Sequence, residues 1–385
     1  MVPDVSDVGA AACFEVVPIS GKGHGCRALR SIARGERLCA ESPLFTQGPG
    51  QPPLQQAVDR LSTEDRRKFF ALTQNSIRFG SIPTARGIFS TNAHPCHEHS
   101  LLHRGIFPCV ARFNHACDAS AVYRWNSALN QLTVHATRDI AVGEEICVTY
   151  SFADGLLRAQ RQQHLRNSFG FTCCCAKCQL KGEPLRQSEQ RLASIGDVNS
   201  CVHELCAEAS RLAGGAPFLR SVTRIEPADF IALLDARHQL LRDEFAPAYA
   251  DGLECFLQAF VELCERAAAK LRLFHAASPA SSPPVAAPAP EPPSSEVQPA
   301  ACGGVTALGP ARAKAVAYAD AAYRYAALAR DVTRDLKGSD SLAYKTWAEA
   351  FDQGVWDIEG GSFDFFARWL RAGLARHSFC HRELA

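Results

Sequence analysis

Three thiols stand close together at Cys173, Cys175 and Cys178, directly after Phe169-Gly170-Phe171, in the spacing Cys-x-Cys-x-x-Cys. Thiolates this close in sequence suit a tetrahedral zinc ion that still lacks one ligand, and a site filled with sulfur is structural rather than catalytic. Cys174 lies between two of them and stays open as a ligand in an alternative register. Upstream, Arg112-Phe113-Asn114-His115-Ala116-Cys117 offers the polar edges of an Asn-His pair, and Tyr150 closes the run Gly143-Glu144-Glu145-Ile146-Cys147-Val148-Thr149-Tyr150. Taken alone, an Asn-His pair is most often a turn, and a tyrosine ending a strand is most often a core residue with a satisfied hydroxyl. Gly21-Lys22-Gly23-His24-Gly25 sets three glycines where the backbone approaches something closely or takes positive φ, as in a glycine-rich hairpin. Glu144 and Glu145, just before a strand, read as a solvated turn rather than as acid-base groups. His94, Cys96, His97, His99 and His103 gather around Pro95 without the spacing of a known zinc knuckle, so they read as a polar loop rather than a second metal site.

These residues need elements to hold them. Short β-branched or aromatic runs at 14–17, 38–40, 122–125, 132–136 and 146–150, separated by Gly, Pro, Asn and Asp, predict a mainly β region. Within it, 61–74 predicts a helix with Ser62 and Asp65 as a capping box and Phe69, Phe70 and Leu72 on its apolar face. A second helix is predicted over 153–168, where Leu156, Leu157 and Leu165 share a face before Gly170 stops it. Beyond Lys181 apolar residues recur at helical spacing over 191–274 and 311–374, which predicts an all-helical half. Segments 311–336 and 341–351 can pair as helical hairpins, although no tetratricopeptide consensus is present. Rich in Pro, Ala and Ser, 276–310 predicts a disordered loop inside that half.

At 385 residues the chain can bury a large core and should divide into roughly two domains. A formal charge of +1 gives no long-range field for nucleic acid or anionic lipid, so neither is an expected partner. No apolar run reaches the roughly 18 residues of a membrane span. Residues 1–12 carry two aspartates and no basic residue, the wrong polarity for a signal or transit peptide. Seventeen cysteines then read as reduced thiols and metal ligands in a cytoplasmic or nuclear protein.

In their order, these motifs resemble the SET domain of protein lysine methyltransferases. Asn114-His115-Ala116-Cys117 is similar to the Asn-His-Ser-Cys-x-Pro-Asn signature, and Arg138-Asp139-Ile140-Ala141-Val142 to the usual lead-in to the tyrosine strand. Arg86-Gly87-Ile88-Phe89-Ser90-Thr91-Asn92-Ala93 resembles the stretch before the signature in the SMYD-like branch. The match runs from about 14 to 178, and the nearest branch is SMYD-like because the helical half follows the knuckle directly. Residues 45–54, where that branch inserts a MYND zinc finger, contain no cysteine pair.

The resemblance implies an α+β fold: a mainly β SET domain over 14–168 with a variable helical insert at about 45–110, and a zinc-binding post-SET segment over 169–181. An all-helical C-terminal domain over 185–385 follows, for which a tetratricopeptide-like array is one form. It implies S-adenosylmethionine as methyl donor, a structural zinc ion, a protein or peptide lysine as substrate and a monomeric enzyme. Lys22, Gly23 and His24 would wrap the methionine end of the cofactor, with Lys22 near its carboxylate on charge grounds. Asn92 would also contact the cofactor, Asn114 and His115 would hold its adenosine end, and Phe171 would pack on the adenine. Cys117 would complete the zinc site with Cys173, Cys175 and Cys178. Tyr150 would contact the cofactor and align the lysine amine with the methyl group in a narrow, water-excluding channel, without acting as a nucleophile. Deprotonation of the lysine would fall to solvent rather than to a side-chain base.

The chain departs from the signature at Ala116, in place of Ser, and at Asp118-Ala119-Ser120, in place of x-Pro-Asn, where loop geometry and catalytic rate are at stake. The alternative reading is therefore a catalytically weak SET and helical-repeat scaffold that binds peptides or partner proteins. A SET enzyme of the plant Rubisco methyltransferase type would also carry a helical C-terminal half, but the cysteine knuckle disfavours it.

Overall fold

The computed structural model describes residues 13–97, 102–150, 156–212 and 227–245, and individual positions between 314 and 345. Strand β1 (Phe14–Ile19) pairs antiparallel with β2 (Gly23–Ala28), and the turn between them closes with Lys22 N–H donating to Ile19 O at 3.0 Å. Gly21 and Gly23 take φ of 72° and 77°, where a Cβ would strain the backbone. The glycine-rich stretch thus continues as a strand that local propensity hides, since glycine disfavours strands and only the pairing holds it there.

After β3 (Arg37–Glu41) comes an insert that begins at β4 (Thr46–Gln47). Its helices are α1 (Leu54–Asp59), α2 (Thr63–Phe70), α3 (Ser76–Phe79) and α4 (Ala85–Asn92), followed by β5 (His94–Pro95) and β6 (Arg104–Gly105). Buried Val58, Phe69, Ile88 and Ile106 give it a core of its own. Helix α2 is shorter than predicted but starts where expected, with the Ser62 hydroxyl accepting from Asp65 N–H at 3.0 Å. The reciprocal half of a capping box is replaced by Ser62 donating to the Asp65 carboxylate at 2.8 Å.

A 3-10 turn (Val110–Arg112) leads into β7 (Asn114–His115), β8 (Ala121–Asn126), β9 (Gln131–Ala136) and β10 (Glu145–Val148). One sheet has the order β1-β2-β10-β7, a second β3-β9-β8 and a small third β4-β6-β5. The apolar residues of the first two sheets share one core, including Phe14, Leu38, Phe113, Val134 and Ile146. Tyr150 does not close the last strand: β10 ends at Val148, because its parallel partner β7 is only two residues long.

The second predicted helix is α5 (Arg158–Phe169), and Leu156 and Leu157 precede it rather than lying on its face. Gln160 Oε1 accepts from Leu157 N–H at 2.8 Å and fixes that start, while Gly170 ends the helix at φ 82°. Helices α6 (Ala176–Gln179), α7 (Gly182–Leu212) and α8 (Pro227–Glu244) follow, the last two packed together. Positions described between 314 and 335 are helical, whereas the predicted loop 276–310 and the stretch 346–374 lie outside the described residues. The content is mixed α+β, and no described helix is long and apolar enough to cross a membrane.

Candidate functional site

The parallel pairing of β10 with β7 sets Cys147 beside Asn114 and Val148 beside His115. One residue further on, Ala116 N–H donates to Val148 O at 3.0 Å. This juxtaposition brings Tyr150 onto the Asn-His segment. The Tyr150 backbone N–H donates to His115 Nδ1 at 2.9 Å, and its hydroxyl donates to Phe113 O at 2.8 Å. The ring lies 4.7 Å from Phe169 and 5.3 Å from His115, with Phe171 edge-on at 6.2 Å. Burial pushes the Tyr150 phenol well above its ordinary range, so it stays protonated at neutral pH. The same desolvation holds His115 down at about 4, as a neutral imidazole.

Cys117, Cys173, Cys175 and Cys178 converge from these two chain regions, their sulfurs all within 4.8 Å of one another. Cys117 Sγ and Cys178 Sγ are 3.5 Å apart. Tetrahedral zinc with Zn–S bonds of about 2.3 Å requires sulfurs roughly 3.8 Å apart, so the donor set fits the ion in number, type and spacing. Hydrogen bonds from Cys117, Cys173 and Cys178 hold the Cys175 thiol far below its ordinary range. Cys174 is exposed and outside the cluster. Arg161 is 7% exposed, and there the neighbouring Cys117 and Cys178 outweigh burial and raise its guanidinium. That buried cation stands beside two sulfurs of a cluster that, as four thiolates around a divalent ion, would carry excess negative charge.

On the hairpin side, the Glu145 carboxylate is the meeting point. Lys22 Nζ lies 2.6 Å from its Oε2, and Asn114 Nδ2 donates to its Oε1 at 3.0 Å and to His24 O at 3.2 Å. Glu145 is therefore not the solvated turn residue predicted, because pairing of β10 with β2 turns it onto the glycine hairpin. Glu144 pairs instead with Arg138 at 2.5 Å. Of the three glycines, Gly25 is the one placed by close approach, since an added Cβ would meet Asn114 Nδ2 at 2.5 Å. Around Gly23 the space is open, its requirement being φ alone. Asn92 ends α4 with its amide donating to Thr73 O at 2.7 Å and Ile88 O at 2.8 Å, which ties it to the insert rather than to Lys22 and Asn114.

The departures from the signature are accommodated locally. Buried Ser120 accepts from Cys147 N–H through its hydroxyl at 3.1 Å, and Thr137 donates to Ala119 O at 2.9 Å, so hydrogen bonds hold the loop where proline and asparagine are lacking. In the histidine-rich stretch, His94 packs edge-on against Tyr123 at 4.4 Å, and burial lowers it to about 3. Cys96 belongs to the sheet core and His97 lies 5.4 Å from His103, while His99 is outside the described residues. Among the described residues the four thiols are the one group spaced to hold a metal ion.

Comparison with known proteins adds four similarities to this geometry. The family described as SET domain matches residues 23–151. Histone-lysine N-methyltransferase set5 of Schizosaccharomyces pombe is 31% identical over 235 residues, 58% of this chain and 70% of that protein. Histone-lysine N-methyltransferase SMYD3 of Homo sapiens is 36% identical over 76 residues, 20% of this chain and 17% of that protein. N-lysine methyltransferase SMYD2 of Homo sapiens is 25% identical over 171 residues, 44% of this chain and 38% of that protein. The chain thus spans most of the set5 protein but well under half of the two SMYD proteins.

Proposed function

The chain belongs to the SET-domain family of protein lysine methyltransferases, and from that membership we propose that it transfers the methyl group of S-adenosylmethionine to the ε-amine of a lysine in a protein. The observation that carries this reading is the convergence of Tyr150, His115 and Phe171 above the four sulfurs. S-adenosylmethionine supplies an electrophilic methyl carbon, which forms a bond to the amine nitrogen as its bond to sulfur breaks. The residues of the chain have to bind, align and keep water out.

Tyr150 already donates its hydroxyl proton to Phe113 O, so its oxygen retains lone pairs that can accept from an incoming amine. Because burial keeps the phenol protonated, it aligns the amine and serves neither as base nor as nucleophile. The lysine releases its proton to solvent before transfer, and no side-chain base is assigned. Lys22 meets the cofactor carboxylate, with Gly23 and His24 lending backbone. Asn114 and His115 line the adenosine end, and Phe171 covers it. Asn92, whose amide is bound to Thr73 O and Ile88 O, would contribute from the insert only through its side-chain carbonyl. Cys117, Cys173, Cys175 and Cys178 hold a structural zinc that pins segment 169–181 beside Tyr150.

In this reading residues 14–168 form the SET domain with an insert at about 45–110, and the chain is of the SMYD-like kind without a MYND finger. The helical domain over 185–385 walls the substrate groove of a monomeric enzyme of the cytoplasm or nucleus.

The test is transfer of labelled methyl groups to arrayed lysine peptides and to proteins of an extract. The wild type is expected to label some of them, and Tyr150→Phe to lower kcat by on the order of 10²-fold, as misalignment of reactants does. Cofactor affinity should change far less. Tight cofactor binding with no transfer to any peptide or protein would leave the scaffold reading instead.

A further inference from the structure

We propose that the imidazole of His115 is a positioning residue that couples the metal centre to Tyr150, so that an ion held by Cys117 determines where the tyrosine stands. The tyrosine backbone N–H can only donate, and it lies 2.9 Å from His115 Nδ1, so Nδ1 is the acceptor of the ring. A neutral imidazole with that tautomer carries its proton on Nε2. Nε2 is 3.4 Å from Cys117 Sγ, within reach of an N–H···S bond. Such a bond strengthens when the sulfur is a thiolate, the form in which it ligates a metal.

The ring is 4% exposed, so water does not substitute at either nitrogen, and it cannot turn without losing both partners. The ladder of β10 ends at Val148, which leaves the Tyr150 amide to be held by this ring. Phe113, His115 and Cys117 alternate along one short segment. The first accepts the tyrosine hydroxyl, the second its amide, and the third is a sulfur of the cluster. Loading Cys117 therefore tightens a segment that grips Tyr150 at both ends.

The proposal rests on the reading of Tyr150 as catalytic, but its test follows the Tyr150 amide itself, by hydrogen exchange in the zinc-loaded full chain. With zinc retained, His115→Ala is expected to speed exchange of that amide about tenfold, the protection of one hydrogen bond. His115→Asn keeps a carbonyl oxygen near the position of Nδ1 but cannot reach Cys117. In that variant the amide should stay protected and should no longer respond to zinc removal, whereas in the wild type chelation should expose it while β9 amides hold. Unchanged Tyr150 exchange in zinc-loaded His115→Ala, or an equal response to chelation in the wild type and His115→Asn, would overturn the coupling. Protection that follows the metal in a protein that transfers no methyl group would uphold the coupling and count against the methyltransferase reading. Transfer by a protein whose Tyr150 amide ignores both ring and metal would do the reverse.

Discussion

Gly25 lets two side chains from distant parts of the chain meet over the hairpin. A Cβ there would stand 2.5 Å from Asn114 Nδ2, 2.8 Å from Ile19 Cγ1 and 3.2 Å from Glu145 Oε1, and pairing to β1 and β10 keeps β2 from retreating. Gly25→Ala is expected to cost about 1–3 kcal/mol as an overpacked contact. It should also weaken cofactor binding several-fold by displacing Asn114. Calorimetric titration against the wild type checks the second effect, and unchanged affinity would remove Asn114 from the binding site. From sequence the three glycines look alike. What singles out Gly25 is a neighbour brought by cross-strand register, which no local pattern encodes, and the same register turns Glu145 from a solvated turn into the partner of Lys22. Cys173, Cys175 and Cys178 were legible because their spacing is itself the signal.

The elements that hold these residues have their own electrostatics. Glu41 ends β3 with its carboxylate accepting from Cys109 N–H at 2.9 and 3.0 Å and from Val110 N–H at 2.9 Å, so it anchors the 3-10 turn that delivers Asn114. Burial outweighs those donors and raises its carboxyl from 4.5 to about 7. The folded chain therefore holds this proton more tightly than the unfolded chain. Its contribution to stability is complete below pH 4.5 and is lost as pH rises through about 7. The whole effect is about 3 kcal/mol. Glu41→Gln cannot titrate, so its stability relative to the wild type should rise by about that amount across this window, measured by urea unfolding at several pH values. A pH-independent difference would show that Glu41 ionises normally. Strands β3, β8 and β9 and helix α2 were legible from alternation and capping. The two-residue strands β4, β5 and β6 were not, since a pair of residues has no periodicity to read.

Across the whole molecule, one buried carboxylate joins the cysteine knuckle to helices α7 and α8. Lys177, between two of the clustered cysteines, is 9% exposed, and its Nζ lies 2.8 Å from Glu244 Oε1 and 3.9 Å above the Phe245 ring. Glu244, at the end of α8, also accepts from Ser188 Oγ at 2.6 Å and from Arg191 Nε at 2.9 Å on α7. No local pattern marks Lys177 or Glu244 as a buried pair, and the packing of α8 on α7 brings Glu244 together with Ser188 and Arg191. Glu244→Ala would leave two cations without their shared anion, one of them buried, at a cost of roughly 3–5 kcal/mol. Replacing the central pair by apolar residues, Lys177→Met with Glu244→Leu, should recover much of that loss, because the attraction of a buried pair largely offsets its desolvation. The two variants then separate stability from linkage to the metal. Helix α6 carries both Lys177 and Cys178, so loosening it in Glu244→Ala should speed zinc release to a chelator, and the double variant should restore slow release if packing alone holds the knuckle. Slow release in Glu244→Ala despite its lower stability would mean that α7 and α8 support the fold without supporting the cysteine cluster.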